Sequence, residues 1–417
     1  MKNNPKLVFK INYCRICKGK NLKKVISLSP TPPANAFLTK NALKKKEQFF
    51  PLQVNFCLDC GQLQLTHVVS PELLFKNYVY VSSTSPVFVE HFEEYANDLI
   101  KRFKLNKDSL VVDIGSNDGI LLKPLKKNGV RVVGIDPAVS IAKKATKGGI
   151  KTFPNFLTVK IAKKIIKGYG PADVVCANNA FAHINDLDEI VDSVKILTKE
   201  DGVLVIEFPY LIDFIKKNYF DLIYHEHLSY LSIRCLNEIF KRFKMEIFDV
   251  KKVNSHGGSV RVYIKKTGSK YKVQLTVKNL LDNEKKLGLD NVNTYLKFAK
   301  KIEENRHKLI SLLKKLKQQG KTIVGYGAPA KGNTLLNYFN IGPKIFDYIV
   351  DDSRYKQGLY TPGTHILVVP FSKISETKPD YILILAWNFA QPLMKKLENF
   401  KKSGGRFIIP VPQAHIV

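Results

Sequence analysis

The sequence predicts an α/β protein in three parts: a small cysteine-organised module, a doubly wound parallel sheet, and a second sheet of that kind near the C-terminus. Three observations carry this reading. Short apolar strands alternate with helical patterns from Leu110 to Phe208, the alternation restarts at Lys321, and two Cys-x-x-Cys pairs stand ahead of both. At 417 residues the chain exceeds one ordinary core, and it fits two or three domains of roughly 100 to 200 residues each.

Residues 1–70 hold both cysteine pairs and the turn Ser29-Pro-Thr-Pro-Pro33 with few strong helical patterns, so a bound metal is expected to organise them. Residues 71–273 form the next domain. A helix is expected where Val87, Phe88, Phe92, Tyr95, Leu99 and Phe103 recur at helical spacing. Strands follow at Leu110–Ile114, Arg131–Ile135, Ile150–Phe153, Asp173–Ala177 and Val203–Phe208, closed by an antiparallel hairpin of Phe248–Val253 and Val260–Ile264. Residues 274–318 read as a helical connector broken at Gly288 and ended by Gly320. Residues 319–417 repeat the pattern, with strands at Thr322–Tyr326, Tyr348–Val350, Ile366–Val369, Tyr381–Ala386 and Phe407–Ile409. This last part is a second Rossmann-like unit.

The formal net charge is +31, which invites a nucleic-acid reading because basic surfaces attract phosphate. The excess is mostly lysine and is spread along the chain, whereas nucleic-acid binders concentrate arginine on one stripe. No nucleic-acid partner is therefore expected, although a positive field favours capture of a small anionic substrate. No apolar run reaches the roughly 18 residues a spanning helix requires, so no membrane partner is expected either. Met1-Lys-Asn-Asn-Pro5 lacks the apolar stretch of a signal peptide, and a cytoplasmic, reducing setting without disulfides is expected.

Cys14, Cys17, Cys57 and Cys60 supply two knuckles whose thiolates complete a closed tetrahedral zinc site, structural rather than catalytic. Cys176 and Cys235 read as ordinary buried cysteines. In Asp113-Ile-Gly-Ser-Asn-Asp-Gly119 a strand passes into a helix through glycines that let backbone amides approach a ligand. Asp136 ends the next strand, where an acidic side chain holds ribose hydroxyls. The turn lacks G-x-G-x-x-G; Asp113-x-Gly115-x-x-x-Gly119 instead resembles motif I of class I S-adenosylmethionine-dependent methyltransferases. That makes Asp113, Gly115, Asn117, Gly119 and Asp136 cofactor candidates, joined by Asn178 and Asn179 in the string Ala177-Asn-Asn-Ala-Phe-Ala-His183 after the fourth strand. The Asp/Asn-Pro-Pro-aromatic motif of amino-methylating nucleic-acid enzymes is absent there, and Phe208-Pro-Tyr210 reads as pocket wall.

Tyr224-His-Glu-His-Leu-Ser-Tyr230 carries two imidazoles, a carboxylate and two phenols. That density reads as too polar for a core segment and marks it as acid/base machinery, since imidazole titrates near neutral pH. H-E-x-x-H spacing is absent. Tyr78-Val-Tyr-Val-Ser-Ser-Thr-Ser85 is dense in hydroxyls, and Tyr78 and Tyr80 are its site candidates, while its serines serve equally as a helix cap. His256-Gly-Gly-Ser259, with Arg261, reads as a hairpin turn open to a ligand. Gly325-Tyr-Gly-Ala-Pro-Ala-Lys-Gly332-Asn-Thr follows a strand and opens a helix, which points its amides, Lys331 and Asn333 at phosphate or sugar.

Together these segments resemble the nucleotide-sugar C-methyltransferases, which act on keto-deoxysugars and combine an N-terminal zinc module, a methyltransferase domain and a C-terminal Rossmann-like domain. The resemblance spans nearly the whole chain and is most specific at the cysteine pairs, Tyr224-His-Glu-His227 and Gly325–Gly332. It implies S-adenosylmethionine as cofactor, a nucleotide-linked 4-keto-deoxysugar as substrate and His227 as base. Tyr224 and Glu226 would be its companions, Tyr78 or Tyr80 would line the pocket, and Tyr224 or His225 would hold an enolate oxygen. The chain is expected to act as a monomer. Two other readings stand beside this one: an O- or N-methyltransferase on a related sugar, and a zinc-containing RNA-binding protein.

Overall fold

In the computed structural model, residues 7–75, 81–84, 86–255 and 257–417 are described; Tyr78, Tyr80, Ser85 and His256 lie outside them. Seven strands make the central sheet, in the spatial order Met245–Val253, Ser259–Lys266, Thr198–Pro209, Ala172–Asn178, Leu110–Ile114, Arg131–Ile135 and Thr152–Phe153. Counted along the chain from the far edge, that order is 3-2-1-4-5-7-6. It reverses direction between the first and fourth strands, and ligands in open α/β sheets bind at that point, beyond the carboxyl ends of the strands.

Leu110–Ile114 is buried along its whole length because helices cover both faces. Val111 points into one core with Phe92 and Leu99 of the helix Pro86–Phe103, and Val112 into the other with Val133 and Val191. That helix buries Phe88, Phe92, Tyr95 and Leu99 as the periodicity expects, but Val87, in its first turn, is exposed. The antiparallel hairpin forms as expected, with both strands longer than the sequence suggested. The third strand is shorter, only Thr152–Phe153.

The N-terminal segment holds more sheet than its composition suggested. Leu22–Thr31, Phe50–Cys57 and Leu63–Leu65 pair antiparallel, and a fourth strand, Ser229–Tyr230, arrives from far along the chain. Register shifts between Lys24 and Ile26 and between Leu28 and Thr31 break the alternation that would have revealed the first strand. Because Ser229–Tyr230 directly follows Tyr224–His227, the candidate catalytic segment is stitched to this sheet.

Helices Leu275–Lys286 and Val292–Gln318 follow, with Gly288 at φ +66° between them. The second Rossmann-like sheet has the order Val368–Val369, Ile349–Val350, Ile323–Tyr326, Tyr381–Ile384, Arg406–Ile409 and His415–Ile416, which is 3-2-1-4-5-6 along the chain, its last strand antiparallel. Its order also reverses beside its first strand, where Gly325–Gly332 lies. No helix among the described residues is long and apolar enough to cross a membrane.

Candidate active site

The glycine-rich turns of both sheets open on one cavity of about 670 Å³. At the central sheet, Gly115 takes φ +71°, and a Cβ there would meet the Ala180 methyl at 2.8 Å, so only glycine lets the chain turn. The Asn117 amide donates to Asp136 Oδ2 at 2.9 Å, and the Ala138 amide to Oδ1 at 2.9 Å. Burial pushes both Asp136 and Asp113 above the ordinary carboxylate range. Asn178 reaches Asp113 at 3.4 Å, and Asn179 adopts φ +52°, a conformation asparagine tolerates. Asn178 Oδ1, Asn179 Oδ1 and Ser116 Oγ are buried without hydrogen-bond partners among the described residues. Buried polar atoms are rarely left so, and these three edge a cavity lined further by Phe156 and Leu157. The set fits S-adenosylmethionine: acceptors for its amino-acid and ribose groups, apolar walls for its adenine. Gly119, at φ +82°, packs under Ile150 and turns the chain without reaching the cavity wall.

The Sγ atoms of Cys14, Cys17, Cys57 and Cys60 all lie within 4.8 Å of one another, with Cys14–Cys60 at 3.5 Å and Cys17–Cys57 at 3.6 Å. Four zinc–sulfur bonds of about 2.3 Å span a tetrahedron with edges of about 3.8 Å, so the cluster fits zinc with no open position. Cys176 and Cys235 are buried, as expected. Arg15, between the first two ligands, is fully buried and donates to the carbonyls of Leu65 at 2.8 Å and Leu228 at 3.1 Å and to Asn185 Oδ1 at 3.1 Å. The metal knuckle is thereby pinned to the end of the Tyr224–Leu228 segment.

That segment, read from its polarity as unsuited to a core, is partly interior: His225 and Glu226 are buried. Burying polar groups is costly, and hydrogen bonds to His225 Nε2, Glu226 and His227 offset part of that cost. His227 Nδ1 lies 2.8 Å from the Leu222 carbonyl, which only accepts, so Nδ1 carries the hydrogen. Nε2 is then the bare nitrogen, and Tyr224 donates to it at 2.7 Å. Asn35 donates to Glu226 Oε1 at 2.7 Å. His225 differs from its expected role as an oxyanion donor. Its Nε2 faces the Phe50 carbonyl at 3.3 Å, and burial lowers its pKa to about 4, so its single N–H is committed to that carbonyl.

Lys331 lines the cavity from the second sheet, its Nζ 3.6 Å from the Trp387 ring centre and donating to Asn388 Oδ1. Burial draws its pKa down to about 7 against the pull of Asp221. Two other expected substrate contacts lie elsewhere. Arg261 sits in a strand rather than a turn, buried, with its guanidinium taken up by Glu207 at 2.9 Å and Asp98 at 3.0 Å and stacked on Tyr95 at 3.3 Å. Asn333 points away from the cavity and donates to the Ala34 carbonyl at 2.7 Å. Glu207 is absorbed in the same buried network, with His91 and Ser255 as further partners.

Several cavity residues carried no sequence signal of their own. Asn35 follows the proline turn, Asn388 and Phe389 end a short helical turn, and Lys356 reaches in from a turn of the C-terminal unit. His183 was quoted in the string after the fourth strand, and its position at a strand's carboxyl end was the available clue. Its ring lies 5.0 Å from that of His227, and burial holds its pKa at about 4.

A seven-stranded 3-2-1-4-5-7-6 sheet with a cofactor-shaped cleft at its switch point defines an S-adenosylmethionine-dependent methyltransferase, here carrying a zinc-binding cysteine cluster. Three family models match the chain: "Putative zinc binding domain" at residues 14–75, "Methyltransferase domain" at 88–248 and "C-methyltransferase C-terminal domain" at 254–412. The C-methyltransferase NovU of Streptomyces niveus is 34% identical over 411 residues, which cover 99% of this chain and 98% of that protein. The chain belongs to this C-methyltransferase family. The ubiquinone biosynthesis O-methyltransferase of Pelagibacter ubique (strain HTCC1062) is 28% identical over 133 residues, 29% of this chain and 52% of that protein. Among solved structures, the magnesium protoporphyrin IX methyltransferase of Synechocystis PCC 6803 with bound SAH is 14% identical, covering 43% of this chain and 83% of that one at a TM-score of 0.35.

Proposed function

We propose that the chain methylates C-3 of a 4-keto-deoxysugar linked to a nucleoside diphosphate, with His227 as the base. The observation that carries this is the His227 tautomer: Nδ1–H fixed on the Leu222 carbonyl and Nε2 accepting from the Tyr224 hydroxyl, on the wall of the cavity that both glycine turns share. A carbon acid beside a ketone needs such a base to form its enolate, whereas methylation on oxygen or nitrogen removes no proton from carbon.

The cofactor supplies an electrophilic methyl group on sulfonium. Asp136 and Asn178 hold its ribose and amino-acid ends, Asn179 and Gly115 shaping the turn around it. The sugar's 4-keto group acidifies the hydrogen on C-3, and His227 Nε2 takes that proton. Tyr224, released from Nε2 as the sugar enters, turns its O–H to the enolate oxygen. Glu226, held by Asn35, orients the sugar; Tyr78 or Tyr80, the other candidate for this pocket, lies outside the described residues. Holding the sugar and the methyl donor in one cavity would supply much of the remaining acceleration. Lys331 takes the diphosphate at the second sheet. We further read the chain as a cytoplasmic monomer, divided near residues 70, 273 and 318, that serves deoxysugar synthesis.

The test is methyl transfer from labelled S-adenosylmethionine to a panel of nucleotide-linked 4-keto-6-deoxyhexoses, the methyl being located by NMR. Methyl on carbon, lost in His227→Ala, supports the reading; methyl on oxygen or nitrogen removes the carbon-acid role from His227.

A further inference from the structure

Beneath the base lies a charged group that the reaction itself does not use. Asp221 is completely buried in the short helical turn Phe220–Leu222. The indole N–H of Trp387 donates to its Oδ2 at 2.6 Å, Trp387 stacks on Tyr219 at 4.0 Å, and Lys331 Nζ lies 3.6 Å from the centre of the same ring. Trp387, in the helical turn Trp387–Phe389, and Lys331, in the helix Ala330–Phe339, both belong to the C-terminal unit. The residue after Asp221 is Leu222, whose carbonyl receives His227 Nδ1–H at 2.8 Å.

We propose that Asp221 is a positioning residue for His227: anchored by Trp387, it holds the Phe220–Leu222 turn so that the Leu222 carbonyl keeps the imidazole in its Nδ1–H form. This rests on reading His227 as the base. Which imidazole nitrogen carries the proton is set by what the other one meets, and the alternative tautomer has no lone pair at Nε2 to accept a proton. A turn that only had to pack would gain from an apolar residue here, because a buried carboxylate is costly even when paired. Aspartate offers instead a directional bond to an element of the other sheet. The C-terminal unit thus sets the state of a base that lies on the central one, and an anion drawn to Lys331 binds next to the same anchor.

The test is ¹⁵N NMR of the imidazoles in the full-length, zinc-loaded protein. With nine histidines in the chain, the His227 signals are assigned by difference from His227→Asn. The wild type is expected to show a single Nδ1–H tautomer at His227. Asp221→Ala and Trp387→Phe are expected to shift both ring nitrogens toward averaged positions, while Asp221→Asn, which still accepts from the indole, largely restores the wild-type pattern. In methyl transfer, Asp221→Ala is expected to lower kcat at least about tenfold, in the range seen when a partner that orients an imidazole is lost, with KM for the cofactor within about twofold. A His227 tautomer unchanged in both variants overturns the proposal whatever the rate does. Should Asp221→Ala fail to fold, Trp387→Phe decides alone, since it leaves the carboxylate in place. The NMR arm needs no acceptor, so a wild type that methylates no keto sugar refutes the substrate reading and leaves this one to be judged by the tautomer.

Discussion

Replacing Arg261 with methionine isolates what the buried ion pair does. Methionine keeps an apolar stem against Tyr95 but strips Glu207 of two guanidinium bonds, at 3.0 and 2.9 Å, and Asp98 of one. Burial alone would push the Glu207 carboxyl up; the His91 hydrogen bond and the Arg261 charge overcome it and bring it from 4.5 to about 2. At about 1.4 kcal/mol per pH unit, that fall corresponds to about 3–4 kcal/mol of stabilisation shared between His91 and Arg261, and removal of one partner of a buried pair typically costs roughly 3–5 kcal/mol. Because the folded carboxyl titrates below the unfolded one, this stability is complete above about pH 4.5 and is lost as pH falls toward 2. Arg261→Met is therefore expected to lose about 3 kcal/mol at pH 7, a drop of about 6–12 °C in Tm, and to begin acid unfolding at a higher pH. Urea and thermal melts followed by circular dichroism measure both. A loss under about 1 kcal/mol, with a raised KM for the sugar, would refute the reasoning and return Arg261 to the substrate.

Other expectations follow from the same geometry. Chelation of zinc, or Cys57→Ser, should lower Tm and loosen the Tyr224–Tyr230 segment, because Ser229–Tyr230 pairs with Leu63 and Gln64 near the knuckle; hydrogen exchange of that segment reads it. Arg15→Met, with zinc retained, strands two buried acceptors and one part-buried one and should cost about 3 kcal/mol in denaturant melts, at about 1 kcal/mol per lost bond. His183 and His225 are held neutral, each at about 4 against 6.5 in the unfolded chain, so they favour the fold fully above pH 6.5 and progressively less as pH falls toward 4. A stability profile that stays flat from pH 6.5 to 4 would contradict their burial. Lys331, drawn down to about 7, should bind inorganic pyrophosphate more tightly at pH 6 than at pH 8.5, with emission from Trp387, the single tryptophan, as the readout.

Both α/β sheets were legible in the sequence because their central strands are buried on two faces and so read as continuous apolar runs between helical stretches. The N-terminal sheet was not, since bulges interrupt its first strand and its last is supplied by Ser229–Tyr230, from a region where local pattern belongs to the central sheet. At the site, motifs with chemistry in adjacent residues came through: the cysteine pairs, Gly115 with Asp136, and Tyr224–His227. What failed was the direction of side chains. Arg261 beside a glycine turn looked available, yet the strand turns it inward to Glu207; Asn333 opens a helix, yet it faces Ala34. Asn35, Trp387 and Asp221 join the site through tertiary contacts that no spacing along the chain encodes.

The most direct test of the central claim is exchange of the C-3 hydrogen of a nucleotide-linked 4-keto-6-deoxyhexose in D₂O, with S-adenosylhomocysteine in place of the methyl donor so that proton removal is read alone. The account expects the wild type to introduce deuterium at C-3 and His227→Ala to introduce none above the uncatalysed rate. Exchange at the wild-type rate in His227→Ala, or no exchange by a wild type that still transfers methyl, would contradict it.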